Sequence, residues 1–340
     1  MTSEQVQNIV AQRRFPGDAS SAELQETHIS WIILTPEFAF KMKKPLQFSF
    51  LDFSTLEKRE FFCQEELRLN RRLAPDMYLD VLPIALAVDG IPEIGATNSP
   101  PIDFAVRMKR MDDSRQMDKL LLHNAVHPGD MEALAALLAS FHQSVVLPAK
   151  ETSYRPGDNR ADFDDLFQLE DACAQLFGSE AITILTALRN TVDRFLDTHE
   201  PRLHARAVSG FWVDGHGDLH GRNIFLLPEG PVVFDCIEFN PHFRKLDVLN
   251  DLAFLCMDLD AGGRHELGKT FMNAYLQHWA CIENPEDQRL FQYFKAYRAN
   301  VRLKVTLIAW QQHRTEALEK TATVYWDLLR QYLDVFLTAL

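Results

Sequence analysis

His216-Gly217-Asp218-Leu219-His220-Gly221-Arg222-Asn223, and a little further on Val232-Val233-Phe234-Asp235, decide how this chain reads. Asn223 to Leu227 has strand character, Pro228-Glu229-Gly230 is a tight turn, and Val232 to Asp235 returns as a second strand. The hairpin carries Asp235 back toward the segment that bears Asp218 and Asn223. One carboxylate, one amide and a second carboxylate are hard oxygen donors of the kind Mg²⁺ takes. Transfer of a phosphoryl group to a hydroxyl needs such a set, with one aspartate left to orient and deprotonate the acceptor. A competing reading takes His216-x-Asp218-x-His220 as three alternate ligands of a metal-dependent hydrolase. That reading makes no use of Asn223 or Asp235, and no further histidine cluster completes its shell.

Upstream, Ile29 to Leu34 is β-branched and aromatic, Thr35-Pro36-Glu37 is a turn, and Phe38 to Lys43 alternates. Phe38, Phe40 and Met42 share one face of that strand; Ala39, Lys41 and Lys43 share the other. Ser54-Thr55-Leu56-Glu57 reads as a capping box that opens a helix running to about Leu73. Tyr78 to Val88 and Ile102 to Met108 are further strands, and residues 4 to 14 form a short leading helix. After Met111 the chain becomes mostly helical, with a break at Glu283-Asn284-Pro285.

The motifs resemble those of aminoglycoside and choline phosphotransferases, which have the protein-kinase-like fold. HGDLHGRNIF followed by VVFDCIEF looks like that family's catalytic and metal-binding segments, and the distance from Asp218 to Asn223 equals that of the kinase HRDxxxxN loop. The resemblance implies that Asp218 is the catalytic base, that Asn223 and Asp235 hold Mg²⁺, and that His216 braces the loop. It also implies that Asp251 pins the loop from the following helix. Ala39-Phe40-Lys41 is similar to the A-x-K of the kinase third strand, whose lysine reaches the α and β phosphates of ATP. Glu66, or second Glu65, would pair with that lysine from the following helix, and Lys43 is an alternative to Lys41. Lys109, Arg110 and Met111 would form the hinge that meets the adenine edge. ETHISWIILTPEFAFKMKKP, FSFLDFSTLEKREFFCQEELRLNRRLAP and DVLNDLAFLCMDLD are closer still to uncharacterised bacterial members of the family. Some of those carry a C-terminal P-loop domain. With no G-x-x-x-x-G-K-[ST], this chain resembles the stand-alone form. One departure is that Thr35-Pro36-Glu37 has no glycine and so makes no glycine-rich phosphate loop.

The expected architecture is α+β and bilobal: an antiparallel lobe with one helix over 1–108, a hinge at 109–111, and a larger helical lobe over 112–340, with ATP between the lobes. In the helical part, Arg298 and Arg302 lie at i, i+4 on one helix face. They read either as an anion site for the acceptor or as salt-bridge partners. Asp162, Asp164, Asp165, Glu170 and Asp171 read as a solvated helix start. His142 reads as a core or interlobe histidine and Trp212 as packing.

Composition narrows the class. The 340 residues carry a net charge of −13, a field that repels a nucleic-acid backbone. The five cysteines are scattered and lack CxxC spacing, which argues against a disulfide framework or a structural zinc. The N-terminus lacks a signal-peptide pattern and no stretch approaches a membrane span. The expectation is a cytoplasmic small-molecule kinase without nucleic-acid or membrane partners; the alternative from another class is a nucleotide-binding regulatory module with little turnover.

Overall fold

Alternation over Phe38–Lys43 builds the sheet around which the N-terminal part is organised. The computed structural model describes residues 1–152 and 156–337. In chain order the first elements are α1 (Ser3–Gln12), β1 (Glu23–Glu26), β2 (Ser30–Leu34), β3 (Phe38–Lys43), α2 (Leu56–Asn70), β4 (Tyr78–Leu86), β5 (Pro92–Ile94) and β6 (Pro101–Lys109). All strand pairs are antiparallel, in the order β1-β2-β3-β6-β4-β5. Because side chains alternate across a strand, the sheet carries a core on each face. Phe40 and Met42 join Val6 and Ile9 of α1 with Trp31, Ile33 and Ile84. Ala39, on the opposite face, joins Cys63 and Leu67 of α2 with Tyr78, Val106 and Phe225. The two lysines of β3 therefore point toward α2, as the alternation predicts.

The helix after β3 starts one residue later than its sequence signature implied. Asp52 accepts the backbone N–H of Ser54 at 3.0 Å and its hydroxyl at 2.5 Å, so Ser54 is engaged upstream. Thr55 caps instead, its hydroxyl accepting the Lys58 N–H at 3.3 Å.

By internal packing the described residues form two compact units, Met1–Leu120 with Asn223–Phe243, and Leu121–Arg222 with Arg244–Leu340. These do not follow the 108/112 division read from the sequence. The hairpin Ile224–Leu227/Gly230–Val233 lies within the helical half of the chain, yet Phe225, Val232 and Phe234 pack with the α2 face of the sheet. The second unit is helical: Pro128–Ser144, Glu180–Val208, Val248–Ala261, His265–His278, Pro285–His313 and Glu316–Leu337 are its main helices. Pro285–His313 starts where predicted, with Pro at its first position and Asn284 accepting the N–H groups of Glu286 (2.9 Å) and Asp287 (3.1 Å). The fold class is α+β, an antiparallel sheet unit and a larger helical one. No helix among the described residues is long and apolar enough to cross a membrane.

Candidate active site

In the sheet unit, Lys41 and Lys43 converge on a single carboxylate of α2. Lys41 Nζ lies 2.8 Å from Glu66 Oε1, and Lys43 Nζ donates to Glu66 Oε2 at 2.8 Å. Glu66 is fully buried. Glu65 points outward and pairs with Arg68 at 2.7 Å, so of the two helix glutamates it is Glu66 that meets the lysines. Lys41 also donates to Asp235 Oδ1 at 2.5 Å. Lys43 pairs in addition with Glu238, a residue that spacing alone did not single out.

Charges of opposite sign stabilise one another strongly where water is scarce. Burial pulls the Lys41 ammonium down, but Asp235, Glu66 and Glu238 together raise it well above its ordinary value. Burial pushes the Glu66 carboxyl up, and Lys41 and Lys43 outweigh it, so Glu66 stays ionised. Both lysines remain cationic.

The second hairpin strand ends at Val233, short of the Asp235 read from the sequence, and Asp235 lies one residue past Phe234 at φ +63, in the left-handed region. A non-glycine residue there costs on the order of 1–3 kcal/mol and persists only when its surroundings hold it. Here its N–H donates to the Tyr78 hydroxyl at 3.2 Å, and the next N–H, of Cys236, donates to Asn70 Oδ1 at 2.8 Å. Its side chain is 40% exposed, against 12% for Lys41. Asn223 is buried in the same unit, and its carbonyl accepts the Phe234 N–H at 3.0 Å. The Asp235 carboxylate and the Asn223 amide oxygen are each donors of the kind a hard divalent ion takes, and Lys41 stands beside the first.

The hinge residues are narrowed by their own backbones. Lys109 N–H donates to the Met77 carbonyl and Arg110 N–H to the Glu37 carbonyl, each at 2.8 Å. The Arg110 guanidinium pairs with Asp113. Two of the three backbone amides read as the hinge are thus bonded within the unit, and Met111 packs at the edge of the α2-side core.

In the helical unit, the loop that carries Asp218 hangs on Asp251. Asp251 Oδ2 accepts the His216 N–H at 2.6 Å and Oδ1 accepts the Gly217 N–H at 2.8 Å. Gly215 has no alternative, since a Cβ there would run into Asp251 Oδ2, and Gly217 sits at φ +83. His142 supports Asp251 in turn, Nε2 lying 3.2 Å from Oδ2 while Nδ1 meets the Tyr275 hydroxyl at 2.9 Å. His142 is therefore more than core packing. Burial pushes the Asp251 carboxyl up, but these hydrogen bonds and the nearby histidines bring it down to about 2.

Asp218 is about a third exposed, with His220 Nε2 3.3 Å from its Oδ2. Burial pushes its carboxyl up; His220, Arg302 and His216 outweigh that and hold it below the usual carboxylate range. His216 is buried and its Nδ1 accepts the Asp218 N–H at 3.3 Å, so the ring braces the loop and does not turn outward beside His220 as a ligand. Among the described residues, no group of three or more His, Cys, Asp or Glu side chains is placed to hold a metal.

The two arginines at i, i+4 separate. Arg298 is buried, donates to Asn250 Oδ1 at 2.7 Å and to the Gly217 carbonyl at 3.0 Å, and lies over the Phe254 ring. It is a brace for the loop and cannot also serve as an anion site. Arg302 is half-buried, its Nε donates to the Tyr325 hydroxyl at 3.3 Å, and its charge faces Asp218 and Asp258. In the acidic run, Asp164 pairs with Arg189 and Asp165 with Lys304, as a structural helix start would.

A strand lysine paired to a helix glutamate, and an HGD loop held by an aspartate of the next helix, are parts of the protein-kinase-like fold. The profile of the phosphotransferase enzyme family matches residues 62–284, and the chain belongs to that family. An uncharacterized protein of Mycobacterium tuberculosis is 31% identical over 302 residues, covering 88% of this chain and 57% of its own length. The chain thus spans little more than half of the curated relatives it matches. Among solved structures it is similar to a choline kinase from Cryptosporidium parvum, with 12% identity, a TM-score of 0.55, and 99% and 97% of the two chains covered. It is likewise similar to APH(2'')-IIia in complex with GDP and kanamycin, with 14% identity, a TM-score of 0.51, and 97% and 98% covered. At these identities the likeness is one of fold.

Proposed function

We propose that the chain transfers the γ-phosphoryl group of ATP to a hydroxyl of a small-molecule acceptor. The observation that carries this reading is the ion-paired set Lys41–Glu66 with Asp235 on the same lysine, in a member of the phosphotransferase family that also has the HGD loop. Lys41, held upright by Glu66, neutralises the α and β phosphates. Asp235 and Asn223 offer their oxygens to Mg²⁺, which when bound supplies charge neutralisation on the phosphates. Asp218 orients the acceptor hydroxyl. The hydroxyl oxygen bonds to the γ-phosphorus, the bond to the β–γ bridging oxygen breaks, ADP leaves with that electron pair, and the hydroxyl proton passes to Asp218. A carboxylate held below its usual range is a weak base, so Asp218 acts chiefly by orientation until the hydroxyl has become acidic late in a loose transition state. The charge of Arg302, which acts on Asp218, favours an acceptor that carries an anionic group near its reacting hydroxyl.

Thr35-Pro36-Glu37 joins β2 to β3 and not the first two strands; the turn between β1 and β2 is tight, the Thr27 N–H donating to the Ser30 carbonyl at 2.9 Å and the Thr27 hydroxyl accepting the Ser30 N–H at 3.0 Å. It offers no glycine-rich cradle, which is the observation favouring a regulatory nucleotide-binding module. One experiment separates the two. A library of hydroxylated metabolites, weighted toward hydroxy acids and sugar phosphates, is incubated with Mg-ATP and scored for phosphorylated product. Product above background that is lost in Asp218→Ala supports the kinase; tight nucleotide binding with no product from any acceptor supports the regulatory module.

A further inference from the structure

We propose that Lys43 and Glu238 form a clasp that positions Asp235, making this a second lysine–glutamate pair with a role distinct from Lys41–Glu66. The proposal rests on the reading of Asp235 as the metal-holding carboxylate. Residues 234–238 belong to no strand or helix, and beyond the Phe234 N–H, which donates to the Asn223 carbonyl, no strand ladder fixes them. Side chains do this instead: Tyr78 takes the Asp235 N–H, Asn70 takes the Cys236 N–H, and the segment's far end is tied by Glu238 to Lys43. The last tie joins two side chains that are 5% and 1% exposed, and Lys43 also holds Glu66 and lies 4.8 Å over the Phe53 ring. Because β3 carries both lysines two residues apart, one strand sets the Lys41 ammonium against Asp235 and anchors the backbone three residues beyond it. Glu238 thus fixes the geometry that Asp235 needs at its left-handed φ. A metal-site carboxylate is only as well placed as the groups that hold it, and loss of such a support typically weakens metal affinity about 10- to 100-fold.

The five charges, Lys41 and Lys43 against Glu66, Asp235 and Glu238, sum to −1. Lys43→Met alone takes the lysine from the buried Glu238 carboxylate and destabilises the fold. Lys43→Met/Glu238→Leu keeps the sum at −1 and is the informative variant, with Glu238→Gln as a milder second. The measurements are amide exchange across 234–239 without ligand, Kd for a non-hydrolysable ATP analogue with and without Mg²⁺, and KM against kcat. The clasp predicts a folded double variant with faster exchange in 234–239. It also predicts Mg²⁺-dependent nucleotide binding weakened about 10-fold or more, Mg²⁺-free binding nearly unchanged, and KM for Mg-ATP rising more than kcat falls. A double variant with wild-type exchange and wild-type Mg²⁺ dependence overturns the clasp and reduces the pair to core charge balance. If the wild type itself binds no Mg-nucleotide, the kinase reading falls, and the exchange arm still decides whether the pair holds the segment.

Discussion

The two halves of the candidate machinery are held by different means. In the sheet unit, functional side chains grip one another directly: Lys41, Lys43, Glu66, Asp235 and Glu238 are joined by ion pairs, so an arriving anion or cation changes partners within the set. In the helical unit, the loop beneath Asp218 is fixed from outside, with Asp251 on the His216 and Gly217 amides, His142 on Asp251, and Arg298 on the Gly217 carbonyl. The contrast fits the tasks proposed for them. A phosphate- and metal-binding set has to exchange its counter-charges on binding, whereas an acceptor-orienting carboxylate has to stay where it is put.

The contrast is sharpened most by removing the orienting carboxylate. Asp218→Ala is expected to lower turnover by about 10²- to 10⁴-fold with little change in the midpoint of urea unfolding, measured on the same preparation. Changing the support beneath it does the reverse. Asp251 has a folded-state pKa of about 2, below its ordinary value of 3.8, so its stabilisation is fully present above about pH 4 and is lost as pH falls through 2. The difference is on the order of 2 kcal/mol. Unfolding at pH 6 and pH 2.5 should therefore show a larger acid loss in the wild type than in Asp251→Asn, which is the less stable of the two at pH 6. A smaller effect is expected at Arg302. Arg302→Lys keeps the charge but loses the planar fork, and raises KM for an anionic acceptor about 3- to 10-fold with KM for ATP unchanged. The smallest belongs to Glu65, whose pair with Arg68 is exposed. Glu65→Ala should shift stability by less than about 0.5 kcal/mol and leave nucleotide binding alone.

What could be read from the sequence was whatever depends on periodicity or on a short motif. Phe38–Lys43 alternates, and its two faces became two cores with both lysines on the α2 side. The break read at Glu283-Asn284-Pro285 falls where a helix starts, with Asn284 as its cap. Strand β1, Glu23–Glu26, was not legible because a polar edge strand buries little and so carries no apolar alternation. The capping site was displaced by one residue because Asp52, outside the capping pattern, engaged Ser54 first. Arg298 and Arg302 show what periodicity leaves out. Spacing put them on one face, but depth gave Arg298 to Asn250 and Gly217 and left Arg302 on the Tyr325 hydroxyl, its charge acting on Asp218. Glu238 and His142 are defined only by what they touch, and no spacing rule connects Lys43 to Glu238 across nearly two hundred residues.

The central claim is that Asp235 serves nucleotide binding through a metal while Asp218 serves the transfer. Calorimetric titration of a non-hydrolysable ATP analogue with Mg²⁺ into wild type, Asp235→Ala and Asp218→Ala tests both halves at once. The account predicts equal Kd for wild type and Asp218→Ala, and a Kd at least about 10-fold higher for Asp235→Ala, with that gap closing when Mg²⁺ is withheld. Equal Kd in all three proteins, or a gap that persists without Mg²⁺, would contradict it.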